Sequence, residues 1–200
     1  MNGHRETAAA DARADASIVR SGDRVSEKAE AHGVFVVECV GPDGKVKWRD
    51  TIDNVVCTEG KNLAFDTFLA GSAYTVTGPY MGLISLVSYT AVAATDVGTQ
   101  INGTNGWKEA GGANAPTYTG NRKTCVWSAA SAGAKALSAA LSFAITGTGT
   151  VKGCFILYGS AALNTKDDAH GTLWSAGLFT GGDKAVANLD TLNVSYSTSM

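Results

Sequence analysis

Charge is scarce in this chain. Asp, Glu, Lys and Arg make up 17% of its 200 residues, against roughly 25% in ordinary soluble proteins. The net charge of −2 gives no electrostatic reason to expect nucleic acid or an anionic membrane as partner. Proline and histidine are rare, at three residues each. No apolar run approaches the ~20 residues that span a bilayer. The four cysteines, Cys39, Cys57, Cys125 and Cys154, are widely spaced and form no Cys-x-x-Cys pair. Each lies in or beside an apolar run, such as Phe35-Val36-Val37-Glu38-Cys39-Val40, and reads as a buried, reduced thiol serving as a small hydrophobe. A disulfide framework is not expected in a chain of this size without an export signal. The first residues hold no apolar stretch and include Glu6, Asp11 and Asp15, so they do not read as a signal peptide. The expected setting is a cytosol-like compartment.

What is abundant is glycine, at 24 residues, together with Ala, Ser and Thr. Such a composition suits tight turns and surfaces covered by another chain. Residues 1–33 differ from the rest. They hold 11 of the 34 charged residues, five positive and six negative, and no aromatic residue. The Ala-rich stretch from Ala8 to Ala16 has helical propensity, but only Ile18, Val19 and Val25 offer it anchors. The expectation is a polar N-terminal arm, disordered or ordered only on assembly, followed by a body over 34–200.

The body reads as β. Val34–Val40, the turn Gly41-Pro42-Asp43-Gly44 and Lys45–Asp50 form a hairpin, with Ile52–Cys57 as a short third strand. Thr58 then starts a change of period: Leu63, Phe65, Phe68 and Leu69 recur at helical spacing up to Gly71, predicting the one short helix. Pro79–Val87 and Arg122–Ser128 read as strands, separated by a Gly/Asn/Thr-rich segment (95–121) that predicts a long loop. Leu137, Ala139, Leu141, Phe143 and Ile145 alternate with Ser138, Ala140, Ser142 and Ala144, which predicts a strand with one buried face. Val151–Tyr158 is apolar on both faces and reads as central. Thr172–Phe179 and Thr191–Ser197 complete the set, the last with Leu192, Val194 and Tyr196 inward. The fold class is mainly all-β: eight to ten strands with one short helix, arranged as a β-sandwich or jelly roll.

Candidate chemistry is sparse. Asp167-Asp168-Ala169-His170 is the only carboxylate–histidine cluster, and it reads as a solvated turn because no second cluster completes a metal site. Asp50, Asp53, Glu59 and Asp66 lie near the helix, where charges cap or face solvent more readily than they form a glycosidase pair. Gly147–Gly153 has the wrong spacing for a phosphate loop and opens a strand. No catalytic residue, cofactor site or metal site is expected, and the chain reads as a non-enzyme. Trp107 and Tyr118, inside the long loop, are the candidate contacts for a neighbouring subunit or a glycan, with anchoring of the loop in the core as the alternative.

Thr58-Glu59-Gly60-Lys61-Asn62-Leu63 and Gly78-Pro79-Tyr80-Met81-Gly82-Leu83-Ile84 resemble small virion proteins of tailed bacteriophages. The run from Gly177 to Lys184, and then Asp190 to Tyr196, is similar to the closing strands of such proteins. The resemblance covers most of 34–200. It implies a virion component assembled in the host cytoplasm, a capsid decoration or cement protein, with the major capsid protein and copies of itself as partners. A tail, collar or fibre-base component is the alternative of the same kind. A carbohydrate-binding host-recognition module is the alternative of another class, and a glycan-degrading enzyme is the remotest. The cysteine reading predicts four alkylation labels by intact mass when the protein is denatured without reductant. Fewer than four would reveal a disulfide or another blocked thiol.

Overall fold

The structure is a computed structural model describing residues 31–69, 77–85, 92–102 and 106–199. The arm expected over 1–33 lies outside them except for its last three residues. The elements run β1 (His32–Val40), β2 (Val46–Val56), α1 (Thr58–Leu69), β3 (Tyr80–Ser85), a 3₁₀ turn (Gly98–Gln100), β4 (Lys123–Thr124), β5 (Ala134–Ala136), β6 (Leu141–Ala144), β7 (Gly149–Tyr158), β8 (Thr172–Leu178), β9 (Lys184–Val186) and β10 (Thr191–Ser199). The mainly-β class, with ten strands and one α-helix among the described residues, agrees with the sequence.

All strand pairs are antiparallel, in the order β4-β3-β7-β8-β2-β1-β10-β5, with β6 beside β10 and β9 beside β7. The path is continuous because β2 is shared. Its residues up to Asn54 pair with β1, while Val55 and Val56 pair with Ala176 and Ser175 of β8. The two ends of the path also meet. Trp127 bridges Leu137, and the amides of Ser128 and Ser138 donate to the carbonyls of Ala136 and Val126, each at 2.9 Å. The result is one sheet curled around a core, and the finer division into two facing sheets, as in a sandwich or jelly roll, does not emerge from the pairing.

Several boundaries differ from the sequence expectation. β1 begins at His32 because His32 and Gly33 pair with Ser199 and Thr198. Gly33 sits close under two side chains: a Cβ would stand 2.3 Å from Asn54 Oδ1 and 2.4 Å from the Tyr196 hydroxyl, so they would have to move. The two strands expected between Lys45 and Cys57 are one 11-residue strand. The strand expected over 137–145 shrinks to β6, with Leu137 hydrogen-bonded to Tyr196 and β5, ahead of it, also lying along β10. The strand expected over 122–128 shrinks to β4 and the Trp127 bridge. β9 had no sequence signal, and Leu86, Val87 and Gly71 lie outside the described residues.

The curl encloses Phe35 and Val37 of β1, Phe143 of β6, Ile156 of β7, and Leu192, Val194 and Tyr196 of β10, all buried. Phe155 and Leu157 of β7 point to the other face and join Ile84, Ile101, Trp107 and Leu173 in a second cluster. This is why β7 is apolar on both faces: one side lines the curl, and the long loop covers the other. All four thiols are free and buried. Burial pushes the Cys39 thiol up to about 11 and those of Cys57 and Cys125 up to about 12, so little reactive thiolate forms at neutral pH.

α1 is seated by its first turn. The Cys57 amide donates to the Trp174 carbonyl at 2.9 Å and the Thr58 amide to the Ala94 carbonyl at 2.8 Å. Gly60, the one buried residue of the helix, lies directly on the β8 backbone. A Cβ at Gly60 would stand 2.8 Å from both the Leu173 carbonyl oxygen and the Trp174 Cα. Alanine gains about 1 kcal/mol over glycine in helix propensity, yet overpacking against rigid backbone costs about 1–3 kcal/mol. Gly60→Ala is therefore expected to lower the melting temperature; an unchanged or raised value in a thermal scan would show that the helix does not depend on this contact.

Candidate functional site

The long loop is held from beneath by a buried ion pair. Arg122 and Glu109 are both fully buried. Arg122 Nε donates to Glu109 Oε1 at 2.8 Å and Nη2 to Oε2 at 2.6 Å, the bidentate geometry that makes such pairs strong. The same guanidinium reaches the carbonyls of Leu163, at 3.0 Å, and Asp168. Glu109 Oε2 also accepts from the Asp167 amide at 2.8 Å. Burial pushes the Glu109 carboxyl up from its ordinary value, opposed by the adjacent guanidinium and the Asp167 amide. Asp167 extends the network, accepting from Asn102 Nδ2 at 2.9 Å and the Ala113 amide at 2.7 Å. Two loops distant in sequence, 101–122 and 163–168, are thus pinned to one point.

This network corrects the reading of Trp107 and Tyr118 as surface contacts. Trp107 is 0% and Tyr118 2% exposed, so neither offers a face to a sugar or a neighbouring subunit. Trp107 packs on Phe155, with ring centroids 6.2 Å apart. Tyr118 meets Phe143 edge-on at 5.0 Å and lies beneath the Lys166 ammonium, 4.2 Å from the ring centroid. Burial pushes the Tyr118 phenol well up. Both residues anchor the loop, the alternative that their sequence context left open. Glu109 and Arg122, which bind it down, carried no recognisable motif; a charged pair in a charge-poor stretch was the only available sign.

The carboxylates near the helix are dispersed. Asp50 pairs with Lys184 at 2.7 Å and accepts from the amides of Thr51 and Gly181. Glu59 accepts from the amides of Gly98, at 3.1 Å, and Leu173, at 3.2 Å, which ties α1 to its neighbours. Asp53 and Asp66 are exposed. Asp168 holds His170 Nδ1 at 3.0 Å within a turn. Among the described residues no group of three or more His, Cys, Asp or Glu side chains is placed to hold a metal ion.

The outer surface of α1 is where the structure departs furthest from an ordinary domain. Of the apolar residues at helical spacing, Leu63 is half-buried, while Phe65, Phe68 and Leu69 are 59%, 84% and 70% exposed. At i, i+3 and i+4 they form one stripe, and the opposite side of the first turn is filled by Gly60 on β8. The helix is docked by its smallest residue and presents its largest ones outward. Scattered exposed apolar residues are ordinary, and three side by side on one helix are less so.

Comparison of the chain with protein-family models, with curated proteins and with solved structures returned no match. The geometry of the ion pair yields a stability test. Removing one partner of a buried pair strands the other, at about 3–5 kcal/mol. Urea denaturation of Glu109→Leu and Arg122→Met should each show a loss of that order. The double variant should lose less than the two losses added, because the charges vanish together; strict additivity would show that the pair is not coupled.

Proposed function

We propose that this chain is a structural component of a tailed-bacteriophage virion, a capsid decoration or cement protein that works through subunit contacts and without catalysis. The observation that carries this reading is the outward apolar stripe of α1. Two phenylalanines and a leucine in water are a liability that another protein surface removes. Burying each side chain contributes up to about 1.5–3 kcal/mol, set against the cost of ordering two partners. The low charge of the body and the virion-protein resemblance over most of 34–200 support the same conclusion. The partner is the major capsid protein at a shell junction, with copies of the same chain arranged by the symmetry of the particle.

The mechanism is mechanical. A rigid curled sheet, stiffened by the pinned loops, carries α1 as a projecting contact element, and each bound copy joins shell subunits that would otherwise separate. Phe65→Ser with Phe68→Ser tests it. Surface changes normally move stability by no more than about 0.5 kcal/mol, so the isolated protein should melt near its original temperature. Truncating a buried aromatic at an interface costs ~2 kcal/mol or more, so co-sedimentation of the variant with decoration-free shells should weaken at least tenfold. Undiminished association would remove α1 from the interface. Cryo-electron microscopy of the particle showing this chain only at the tail would replace the cement reading with the tail alternative.

A further inference from the structure

Away from α1's outward stripe, where the curl comes round to β5, a cavity of about 180 Å³ opens. That is below the roughly 300–1,000 Å³ of drug-sized clefts and gives room for a single ring. Its walls include Pro79, Trp127, Tyr158 and Trp174, with Lys135 and Thr198 among the polar lining residues. Lys135 and Thr198 are cross-strand partners on β5 and β10. The Tyr158 and Trp174 rings stand perpendicular, at 89° with centroids 6.0 Å apart, forming an inside corner. Trp127 supplies a further wall and is braced edge-on against Tyr196 at 5.9 Å.

The polar ends of Trp174, Tyr158 and Thr198 are engaged elsewhere. Trp174 Nε1 donates to the Tyr196 hydroxyl at 3.0 Å, the Tyr158 hydroxyl to the Gly60 carbonyl at 2.8 Å, and Thr198 Oγ1 to the His32 carbonyl at 2.7 Å. What remains for a ligand is chiefly aromatic and aliphatic carbon, with the Trp127 indole N–H and, from the exposed Lys135 beside it, one charge. Lys135 is exposed and donates one hydrogen bond, to the Ser128 carbonyl at 3.0 Å; an ammonium has three N–H groups to give. The occupant must therefore combine a C–H surface with an anion. A bare phosphate or sulfate would use the ammonium and leave the aromatic walls without a partner. A flat aromatic acid would match both, but set in an open corner it would leave its outer face in water. A pyranose carrying a carboxylate lays its C–H face on the rings, turns its hydroxyls to water and pairs its carboxylate with Lys135.

We infer that this cavity binds a single acidic sugar residue, a uronic-type pyranose within a glycan. The inference is independent of the assembly reading, which rests on α1. The test is a titration of the ¹⁵N-labelled full chain with trigalacturonic acid, with the neutral galactotriose and indole-3-carboxylate as comparisons, read from the indole N–H resonances. The Trp127 and Trp174 signals should shift saturably with the acidic trisaccharide, and about tenfold more weakly with the neutral one. Lys135→Gln, at an exposed position, should erase that preference while leaving the fold's other resonances in place. Trp127→Ala should weaken binding about tenfold. No saturable shift with trigalacturonic acid, tighter binding of indole-3-carboxylate, or an acid preference that survives Lys135→Gln would each overturn the assignment.

Discussion

Arg122 and Glu109 meet where water does not reach, and the covering of the outer sheet face depends on their meeting. Neither charge is tolerable alone in that position, so each holds the other and the backbone groups around it. The guanidinium gathers the carbonyls of Leu163 and Asp168, and the carboxylate gathers the Asp167 amide. Through Asp167 the grip extends to Asn102 and Ala113. With those loops fixed, Trp107 lies over Phe155, and the outer side of β7 becomes as dry as the inner. The glycine-rich segment is thus held in two ways, by Trp107 and Tyr118 packed in the core and by this polar clamp.

α1 obeys the opposite logic. Its attachment is concentrated in one turn, where Glu59 accepts two amides and Gly60 lets the helix backbone touch β8. Along the remaining turns Leu63, Ala64 and Thr67 are half-buried, while Phe65, Phe68 and Leu69 stay exposed. Stability and presentation are thus separated along a single helix, and the stripe can be altered without loosening the seat. An ordinary amphipathic helix differs, since its apolar side is also its anchor.

Much of the sheet was legible because alternation is a local signal. Leu192, Val194 and Tyr196 face inward as their spacing requires, and the two-faced apolarity of β7 marked it as central. The helix was legible in place and length but not in orientation. Periodicity locates a stripe; whether that stripe or its opposite is covered depends on β8, more than 100 residues away, and on the absence of a side chain at Gly60. The same holds for Trp107 and Tyr118. An aromatic residue in a Gly/Asn-rich loop reads identically whether it points in or out, and the deciding contacts come from Phe155, Phe143 and Lys166. The Arg122–Glu109 pair is separated by 13 positions and belongs to no motif, so nothing short of the fold reveals it.

The meeting of Trp127 with Leu137 has a bearing on crowding. An open sheet ends in strands whose amides and carbonyls invite a neighbour to pair, which is the commonest route from high local concentration to fibrous aggregates. Here the stretch that follows β4 is joined to the end of β5 through Trp127 and Leu137, and the off-path strands β6 and β9 span only four and three residues. Among the described residues, neighbouring copies would find little edge backbone to zip onto. Contacts between copies would then run through side chains, which discriminate between partners as backbone pairing does not.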